Sequence, residues 1–479
     1  MKEGYIPQNE RKKILFLCDD IRMHSGVATM AREIVVGTAH RYNWVNIGAA
    51  INHPEVGKRM DLSADTNKHT GIEDASVILY PQNGYGTAEL LRYMMQVEKP
   101  DAILFFTDPR YYEWLFQIEH ELRQQIPLIY LNIWDDYPAP LYNESYYDSC
   151  NTLLGISKQT VNINKLVLGD KAKNKLIKYV PHGINKNSFY PITSEYDKFP
   201  QFTEYKQSIF GGKNFEFVVF FNSRNIRRKH PSDLIAGFQL FRESLPKGKA
   251  DKVALLLHTS PIDNNGTDLF AVRDLFGGEN HNVFFTPGGQ ISTEQMNWLY
   301  NIADITVLPS GNEGWGLSLT ESMMAETMIA ATVTGGMQDQ MRFVDNKGKW
   351  YTPNKEIPSN HFGTYKKHGE WAIPMFPDAV TCVGSPKTPY IWDDIVDFRT
   401  IAKTIEEAYN LSPEERTKRG KAGRKWVTSD ESMMSSNWMC KNVDDALRET
   451  INNFTPAPKF TMELVEDYPV KEIRHKIVY

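Results

Sequence analysis

Two glutamates eight residues apart, Glu313 and Glu321, frame a glycine-rich segment of the sequence. The segment, LPSGNEGWGLSLTESM at residues 308–323, ends an apolar run, passes through glycines and enters a helical pattern near Ser318. Glycines let backbone N–H groups approach a ligand closely, and a helix N-terminus favours an anion such as phosphate. Glu313 could accept hydrogen bonds from the hydroxyl groups of a ligand, and Glu321, one turn into the helix, would face the same crevice. The pattern therefore predicts a ligand site.

A purely structural role would explain part of the same segment. Ser318 and Glu321 also fit the S-x-x-E capping box, in which the two side chains bond the first backbone N–H groups of a helix. The capping role alone could account for Glu321, so both interpretations remain open on the sequence.

Further charged groups follow other apolar runs. Arg224 and Lys229 lie in the segment NSRNIRRK and could neutralise an anion, although a solvated basic turn has the same pattern. The pair Asp19 and Asp20 resembles a metal site superficially, but an acidic pair after a strand is commonly a turn or helix-cap feature. We therefore predict no metal site.

The elements that position these residues are short apolar, β-branched or aromatic runs separated by helix-length segments. They predict strands at residues 14–18, 102–106, 128–133, 216–221, 253–258, 282–286, 304–308 and 328–333. Strands of this kind alternating with amphipathic helices indicate parallel sheets covered on both faces. Two such series predict an α/β protein with two doubly wound domains.

The domain boundary is expected within residues 190–214, which are rich in proline and glycine. This gives a first domain over residues 1–195 and a second over 196–430. Residues 352–389 have little periodicity and are expected to be an insertion over one face of the second domain. A helix is expected over residues 430–451, within a C-terminal segment 431–479 that ends in a tail.

Composition narrows the function classes. The chain has 479 residues, 41% of them hydrophobic and 24% charged, as in ordinary globular proteins. No apolar run approaches the roughly 20 residues of a transmembrane helix, and the N-terminus lacks a signal-peptide core, which predicts a cytoplasmic protein. The net charge of -5 gives no global reason to bind nucleic acid. Two local basic stretches, residues 158–178 and 416–425, are expected to be solvated helix faces.

The order of these motifs resembles a known family. The Glu313–Glu321 spacing resembles the E-x7-E motif of retaining GT-B fold glycosyltransferases, in particular the family 4-like group (glycosyl transferases group 1). Residues 222–229 are similar to the family's strand-end Arg-x4-Lys. Residues 286–304 are similar to its base-binding loop, helix and "ADI" strand, and residues 180–185 (VPHGIN) to its turn before the interdomain linker.

The resemblance implies a GT-B architecture of two Rossmann-like domains with a C-terminal helix returning to the first. It implies a metal-independent enzyme that binds no cofactor and uses a nucleotide-diphosphate sugar, with a UDP-sugar favoured. Glu313 would contact the donor sugar, Glu321 the ribose, and Arg224 with Lys229 the leaving diphosphate. The remaining donor-binding residues implied by the resemblance are Gly26, Gly289, Ile291, Gly314, Trp315, Gly316 and Leu317.

One departure from the family concerns the strand at residues 128–133. Many members have a histidine after it, whereas this chain reads Trp134-Asp135-Asp136. Either Asp135 takes over a polar contact to the sugar and joins the candidate catalytic residues, or the donor lies differently. His24 and His182 are expected to be turn or packing histidines.

The acceptor is expected to face the loops of the first domain at residues 24–26, 82–86, 108–112 and 134–137. It could be a small molecule, a glycan or a lipid-linked intermediate. One alternative is a bacteriophage-type DNA glycosyltransferase acting on hydroxymethylated bases, which the lysine-rich residues 158–178 leave open. An alternative of another class is a noncatalytic GT-B-like binding protein.

Overall fold

The computed structural model describes residues 4–49, 54–289, 291–354 and 361–460. Gln290 of the predicted base-binding loop, residues 355–360 of the predicted insertion and residues 461–479 of the predicted tail lie outside this set. Two parallel sheets, each flanked by helices, face each other across a cleft. We call each sheet with its helices the first and the second domain.

The first sheet has eight strands in the spatial order β3-β4-β2-β1-β5-β6-β7-β8, all parallel except β3. Its central strands are largely apolar; residues 14–17 of β1, for example, are fully buried. The strands are β1 (Lys12–Asp19), β2 (Tyr42–Ala49), β3 (Met60–Asp61), β4 (Val77–Pro81), β5 (Ala102–Phe106), β6 (Leu128–Asn132), β7 (Thr152–Gly155) and β8 (Leu176–Tyr179). The helices are α1 (Gly26–Thr38), α2 (Ser63–Thr70), α3 (Ala88–Val97), α4 (Glu113–Phe116), α5 (Glu119–Leu122), α6 (Glu144–Asp148) and α7 (Lys158–Leu168).

The second sheet has six parallel strands in the order β11-β10-β9-β12-β13-β14. They are β9 (Phe217–Asn222), β10 (Val253–His258), β11 (Val283–Phe285), β12 (Ile305–Leu308), β13 (Met328–Thr332) and β14 (Ala372–Met375). The helices are α8 (Phe199–Ile209), α9 (Pro231–Ser244), α10 (Lys247–Ala250), α11 (Leu269–Gly277), α12 (Thr293–Ile302), α13 (Leu317–Met324), α14 (Met337–Met341), α15 (Phe398–Asn410) and α16 (Pro413–Val427).

The last helix, α17 (Ser436–Asn452), returns to the first domain. The Tyr42 hydroxyl on β2 donates to Asp444 over 2.8 Å, and the Thr152 and Thr450 hydroxyls bond at 2.6 Å. The helix begins six residues later than the sequence predicts, because Ser435 is its N-cap. The predicted GT-B architecture with a returning helix is confirmed.

The eight predicted strands are all present, with ends displaced by two residues or fewer. Strand β2 has no continuous apolar run, because Asn46 interrupts it. That buried amide donates to the Phe16 carbonyl over 3.0 Å, so a tertiary contact satisfies the polar group.

Residues 352–389, expected to be an insertion, include a strand of the second sheet itself, the edge strand β14. It is followed by an antiparallel hairpin of β15 (Ala379–Ser385) and β16 (Thr388–Ile395). Pro374 lies within β14, where an edge strand tolerates a residue without an N–H group. The boundary near residue 195 remains a prediction; helix α8 lies in that region and packs on Trp298 of the second domain.

Candidate active site

A cleft of about 1230 Å³ opens at the carboxyl ends of both sheets. In each sheet the strand order reverses there, between β1 and β5 and between β9 and β12. Open α/β sheets bind ligands at such switch points. Ligand sites are typically about 300–1,000 Å³, so this cleft has room for more than one small molecule.

The glycine-rich turn between β12 and α13 forms one wall. Gly316 is the N-cap of α13, in the left-handed region at φ 84°. Within the described part of the chain, no protein group accepts a hydrogen bond from the backbone N–H groups of Gly314, Trp315, Gly316 or Leu317. All four residues line the cleft, so the turn offers free donors beside a helix N-terminus, as an anion site requires.

Glu313 lies at the base of this turn, with its side chain only 12% exposed. Its carboxylate accepts a hydrogen bond from the Ser310 hydroxyl at 3.2 Å and pairs with the Lys229 ammonium; the Arg228 guanidinium is 3.8 Å away. Although burial raises it, the charges of Lys229 and Arg228 hold the pKa of Glu313 below its ordinary value. The carboxylate is therefore ionised at neutral pH.

The basic residues of the neighbouring wall follow β9. Lys229 is buried, and burial lowers the pKa of its ammonium to about 8, although the negative charge of Glu313 raises it. Arg224 lines the cleft, but its guanidinium is exposed and pairs with Asp263 at 2.8 Å. The structure thus brings Lys229 to Glu313 and leaves Arg224 at the rim. Arg228, to which no sequence pattern gave a role, donates to the Asn312 carbonyl at 2.6 Å.

Glu321 is not a helix cap, because α13 is capped by Gly316 without a side-chain bond. Its carboxylate accepts a hydrogen bond from the Tyr300 hydroxyl at 2.5 Å, and that hydroxyl accepts one from the Asn222 amide at 2.7 Å. Burial raises the pKa of Glu321 to about 7. Tyr300, which lies in helix α12, fixes this carboxyl.

The segment expected to hold the base lies on the same side of the cleft. Gly289, in the left-handed region at φ 111°, and Ile291 both line it. His258 at the end of β10 completes this part of the wall and bonds the Thr286 hydroxyl at 2.8 Å.

The first domain contributes the loop after β1. Ser25 caps α1 through the Ala28 N–H and donates to the Asp19 carboxylate at 2.6 Å, which fixes the loop. Gly26 lines the cleft opposite the second domain, and a Cβ at this position would lie 3.2 Å from the Leu317 side chain. Gly26 and the α13 N-terminus therefore meet across the cleft.

The loop after β6 brings Trp134, Asp135 and Asp136 to the cleft. Asp136 is buried, and burial together with the neighbouring Asp135 raises its pKa well above the ordinary value. No described residue bonds its Oδ1 atom. Among the described residues no group of three or more His, Cys, Asp or Glu side chains is placed to hold a metal ion.

The two histidines have different positions. His182 is buried between the rings of Phe106 and Trp315, at 5.7 and 6.3 Å, and burial lowers its pKa to about 3. It is a neutral packing residue on the cleft wall. His24 is exposed at the cleft mouth.

Of the loops expected to meet the acceptor, three reach the cleft: those containing His24, Asp108 and Trp134. The loop at residues 82–86 instead positions Tyr85, whose ring stacks on Tyr111 with centroids 4.3 Å apart. A further wall, which the sequence analysis did not assign, comes from the β15–β16 hairpin through Val383, Thr388, Ile391 and Asp393.

Comparison with known proteins adds to this geometry. Residues 206–357 match the family model described as glycosyl transferases group 1. The mannosylfructose-phosphate synthase of Agrobacterium fabrum is 27% identical over 196 residues, which are 40% of this chain and 39% of that relative. The chain thus matches about two fifths of that relative's length.

Solved structures resemble most of the chain. Anabaena HepE in complex with UDP and glucose superposes with a TM-score of 0.62 at 14% identity, covering 92% of this chain and 100% of HepE. The sucrose-phosphate synthase of Thermosynechococcus elongatus gives a TM-score of 0.62 at 16% identity, over 92% and 100% of the two chains. The described part of the chain holds no helix long and apolar enough to cross a membrane. The chain therefore has the GT-B fold, and its residues 206–357 are similar to the glycosyl transferases group 1.

Proposed function

We propose that this protein is a retaining glycosyltransferase that moves a sugar from a nucleotide-diphosphate sugar to an acceptor hydroxyl in the interdomain cleft. One observation carries the proposal: four free backbone N–H groups of the donor turn (residues 309–317) lie beside the Lys229–Glu313 pair. Breaking the bond from sugar to phosphate leaves negative charge on a diphosphate oxygen. Fixed donors and a buried cation stabilise that charge in a site with little water.

In this proposal the donor lies along the second domain. The ionised Glu313 accepts hydrogen bonds from the sugar, and the carboxyl of Glu321, fixed by Tyr300, binds the ribose. Gly289 and Ile291 hold the base. UDP is the favoured nucleotide, because HepE, which has the same fold, is known in complex with UDP and glucose.

We propose retention of the anomeric configuration because the Glu313–Glu321 spacing resembles the motif of retaining glycosyltransferases. The Glu313 carboxylate, paired with Lys229, is a poor nucleophile but a good hydrogen-bond acceptor for hydroxyl groups, so its role is to bind the donor sugar. The acceptor oxygen then bonds the anomeric carbon from the side on which the bond to the diphosphate breaks, and its proton passes to the leaving diphosphate. Lys229, Arg228 and the turn amides supply the positive charge, so we propose that the reaction needs no metal ion.

The test is transfer from UDP-glucose by wild type and by Glu313→Ala, with Glu406→Ala on the exposed face of α15 as the control. We expect Glu313→Ala to lose about 100-fold or more in turnover without unfolding, and the control to match wild type. NMR of the product should give an α-linkage from the α-configured donor. Near-normal turnover by Glu313→Ala would contradict the site, and an inverted product would contradict retention. If wild type never hydrolyses or transfers any nucleotide sugar, the noncatalytic alternative holds.

The lysine-rich residues that left a DNA acceptor open are largely engaged within the protein. Lys171 and Lys175 pair with Asp148, Lys173 with Asp170 and Lys178 with Glu449. Lys158 lies over the Trp350 ring at 3.2 Å. This segment therefore offers little free charge to phosphates, and we expect transfer to depend only weakly on salt. A steep loss between low and moderate salt would instead favour a polyanionic acceptor.

A further inference from the structure

The β15–β16 hairpin spans the mouth of the cleft from the second domain to the first. At its base, the Asp394 N–H donates to the Gly311 carbonyl of the donor turn at 3.1 Å. Further along, the Trp392 N–H donates to the Tyr137 carbonyl at 2.6 Å. Near its tip, the Arg110 guanidinium donates to the Lys387 carbonyl at 3.0 Å. The hairpin is therefore a fixed wall with contacts to both domains.

One face of the hairpin is turned into the cleft. Val383 pairs with Ile391 across the strands, and directly paired residues share a face of an antiparallel ladder. Both line the cleft, as do Thr388 and Asp393. Cys382 and Trp392, the next pair, belong to the other face, where Trp392 packs on the core of the first domain.

Asp393 joins this wall to the donor site. Its carboxylate is 3.4 Å from the Asn312 amide, and a Cβ on Gly311 would come within 2.1 Å of it. The residue therefore lies against the turn that carries Glu313. A group bound beside Asp393 is adjacent to the place where the donor sugar is expected.

The opposite wall is the loop after β6. Asp136 is 92% buried, lines the cleft and has an Oδ1 atom that no described residue bonds. A buried acceptor without a donor is costly, and a ligand hydroxyl would satisfy it. The indole N–H of Trp134 donates to the Asp136 carbonyl over 2.9 Å, which fixes this loop beside the cleft.

The cations that reach this part of the cleft already have partners. Arg110 pairs with Asp108, and Arg228 bonds the Asn312 carbonyl beside Glu313. Three carboxyl groups, those of Asp135, Asp136 and Asp393, lie in the same region. A phosphate on the acceptor would meet these acidic groups, and the arginines that line this part of the cleft are already paired.

We propose that the hairpin and the loop after β6 form the acceptor subsite, and that it takes a neutral, hydroxyl-rich molecule, a sugar or polyol. The inference rests on the proposed function. It assigns Asp393 and Asp136 to the acceptor hydroxyls and Ile391 with Val383 to the apolar face of the acceptor.

The experiment measures UDP release from UDP-glucose with two acceptor pools. One pool holds neutral mono- and disaccharides and polyols; the other holds sugar phosphates and duplex DNA with 5-hydroxymethylcytosine. The proteins are wild type, Asp393→Asn, Ile391→Trp and Cys382→Trp. The indole of Ile391→Trp would fill the subsite, whereas Cys382→Trp, the control, places the same ring on the other face of the hairpin. UDP-glucose binding is titrated on each sample.

We expect the neutral pool to stimulate UDP release by wild type and by Cys382→Trp. Asp393→Asn and Ile391→Trp should lose about tenfold or more of that stimulation while binding UDP-glucose as wild type does. The inference is overturned if only the anionic pool stimulates, if the neutral pool does not although UDP-glucose binds, or if both hairpin variants keep the stimulation. Failure of wild type to bind any nucleotide sugar would instead overturn the proposed function.

Discussion

At the scale of single residues, the central feature is the buried pair of Lys229 and Glu313. Each charge alone would be costly to bury, and each is stabilised by the other. The pair and the amides of the donor turn line the same part of the cleft, so a diphosphate that approaches the turn also approaches the Lys229 ammonium. We therefore expect donor binding to depend on the charge of Lys229.

This dependence predicts a pH effect. Burial lowers the pKa of Lys229 to about 8, so in the free enzyme the ammonium loses its proton as the pH rises past that value. We expect kcat/KM for the donor, which reports the free enzyme, to fall above about pH 8. Lys229→Arg keeps its charge and should move the fall to higher pH. An identical alkaline limb in both proteins would contradict the assignment.

Glu321 gives a second prediction, in stability. Burial raises its pKa from 4.5 to about 7, so the folded state binds a proton that the unfolded state lacks between those values. Stability therefore falls as the pH rises from about 4.5 to 7, by about 3 kcal/mol. Glu321→Gln still accepts from Tyr300 and carries no charge.

We expect the Gln variant to be more stable than wild type by about that amount at pH 8 and equal to it at pH 4, measured by unfolding at both values. A gain of equal size at both pH values would show that charge is not the cause.

At the scale of elements, the donor turn also fixes how the domains meet. A Cβ on Gly314 would lie 2.8 Å from the Ile133 carbonyl of the first domain. We expect Gly314→Ala to push the domains apart and lower transfer by about tenfold or more, with UDP affinity little changed because UDP binds the second domain. Gly248→Ala, where a Cβ meets nothing within 4 Å, is the control. Equal activity of the two variants would contradict this coupling.

The elements also differ in how far the sequence could predict them. The donor turn was predictable, because a strand, glycines and a helix start lie within one local segment. The hairpin was not, because β15 is exposed and β16 only partly buried, in a stretch without hydrophobic periodicity. Its position also depends on contacts with Tyr137 and Arg110, far away in the chain. The preference for Arg228 over Arg224 at Glu313 depends equally on three-dimensional packing.

At the scale of the whole molecule, α17 packs on the first domain after the chain has left the second. Asp444 is buried and accepts hydrogen bonds from Tyr42, and its carboxylate is 3.0 Å from the Arg41 guanidinium. We expect Asp444→Ala to lower the unfolding free energy by about 3 kcal/mol, because it leaves Arg41 without its charge partner. Asp445→Ala, at a more exposed position of the same helix, should cost less than about 1 kcal/mol. Chemical denaturation of both variants measures the difference, and equal losses would contradict it.

The architecture of the whole molecule could largely be predicted from the sequence, because two series of apolar strands leave few arrangements other than two doubly wound sheets. The proposed acceptor subsite could not be predicted, because a first-domain loop and a second-domain hairpin form it, more than 240 residues apart in the chain. No local sequence pattern indicates that two such segments are in contact.

The most direct test of the donor site is titration calorimetry of UDP against wild type, Lys229→Ala and Lys418→Ala, the last an exposed lysine of α16 outside the cleft. We predict one UDP per wild-type chain, binding about tenfold or more weaker in Lys229→Ala, and unchanged binding in Lys418→Ala. Equal UDP affinity in all three proteins, or no binding to wild type, would contradict the placement of the donor site at the turn between β12 and α13.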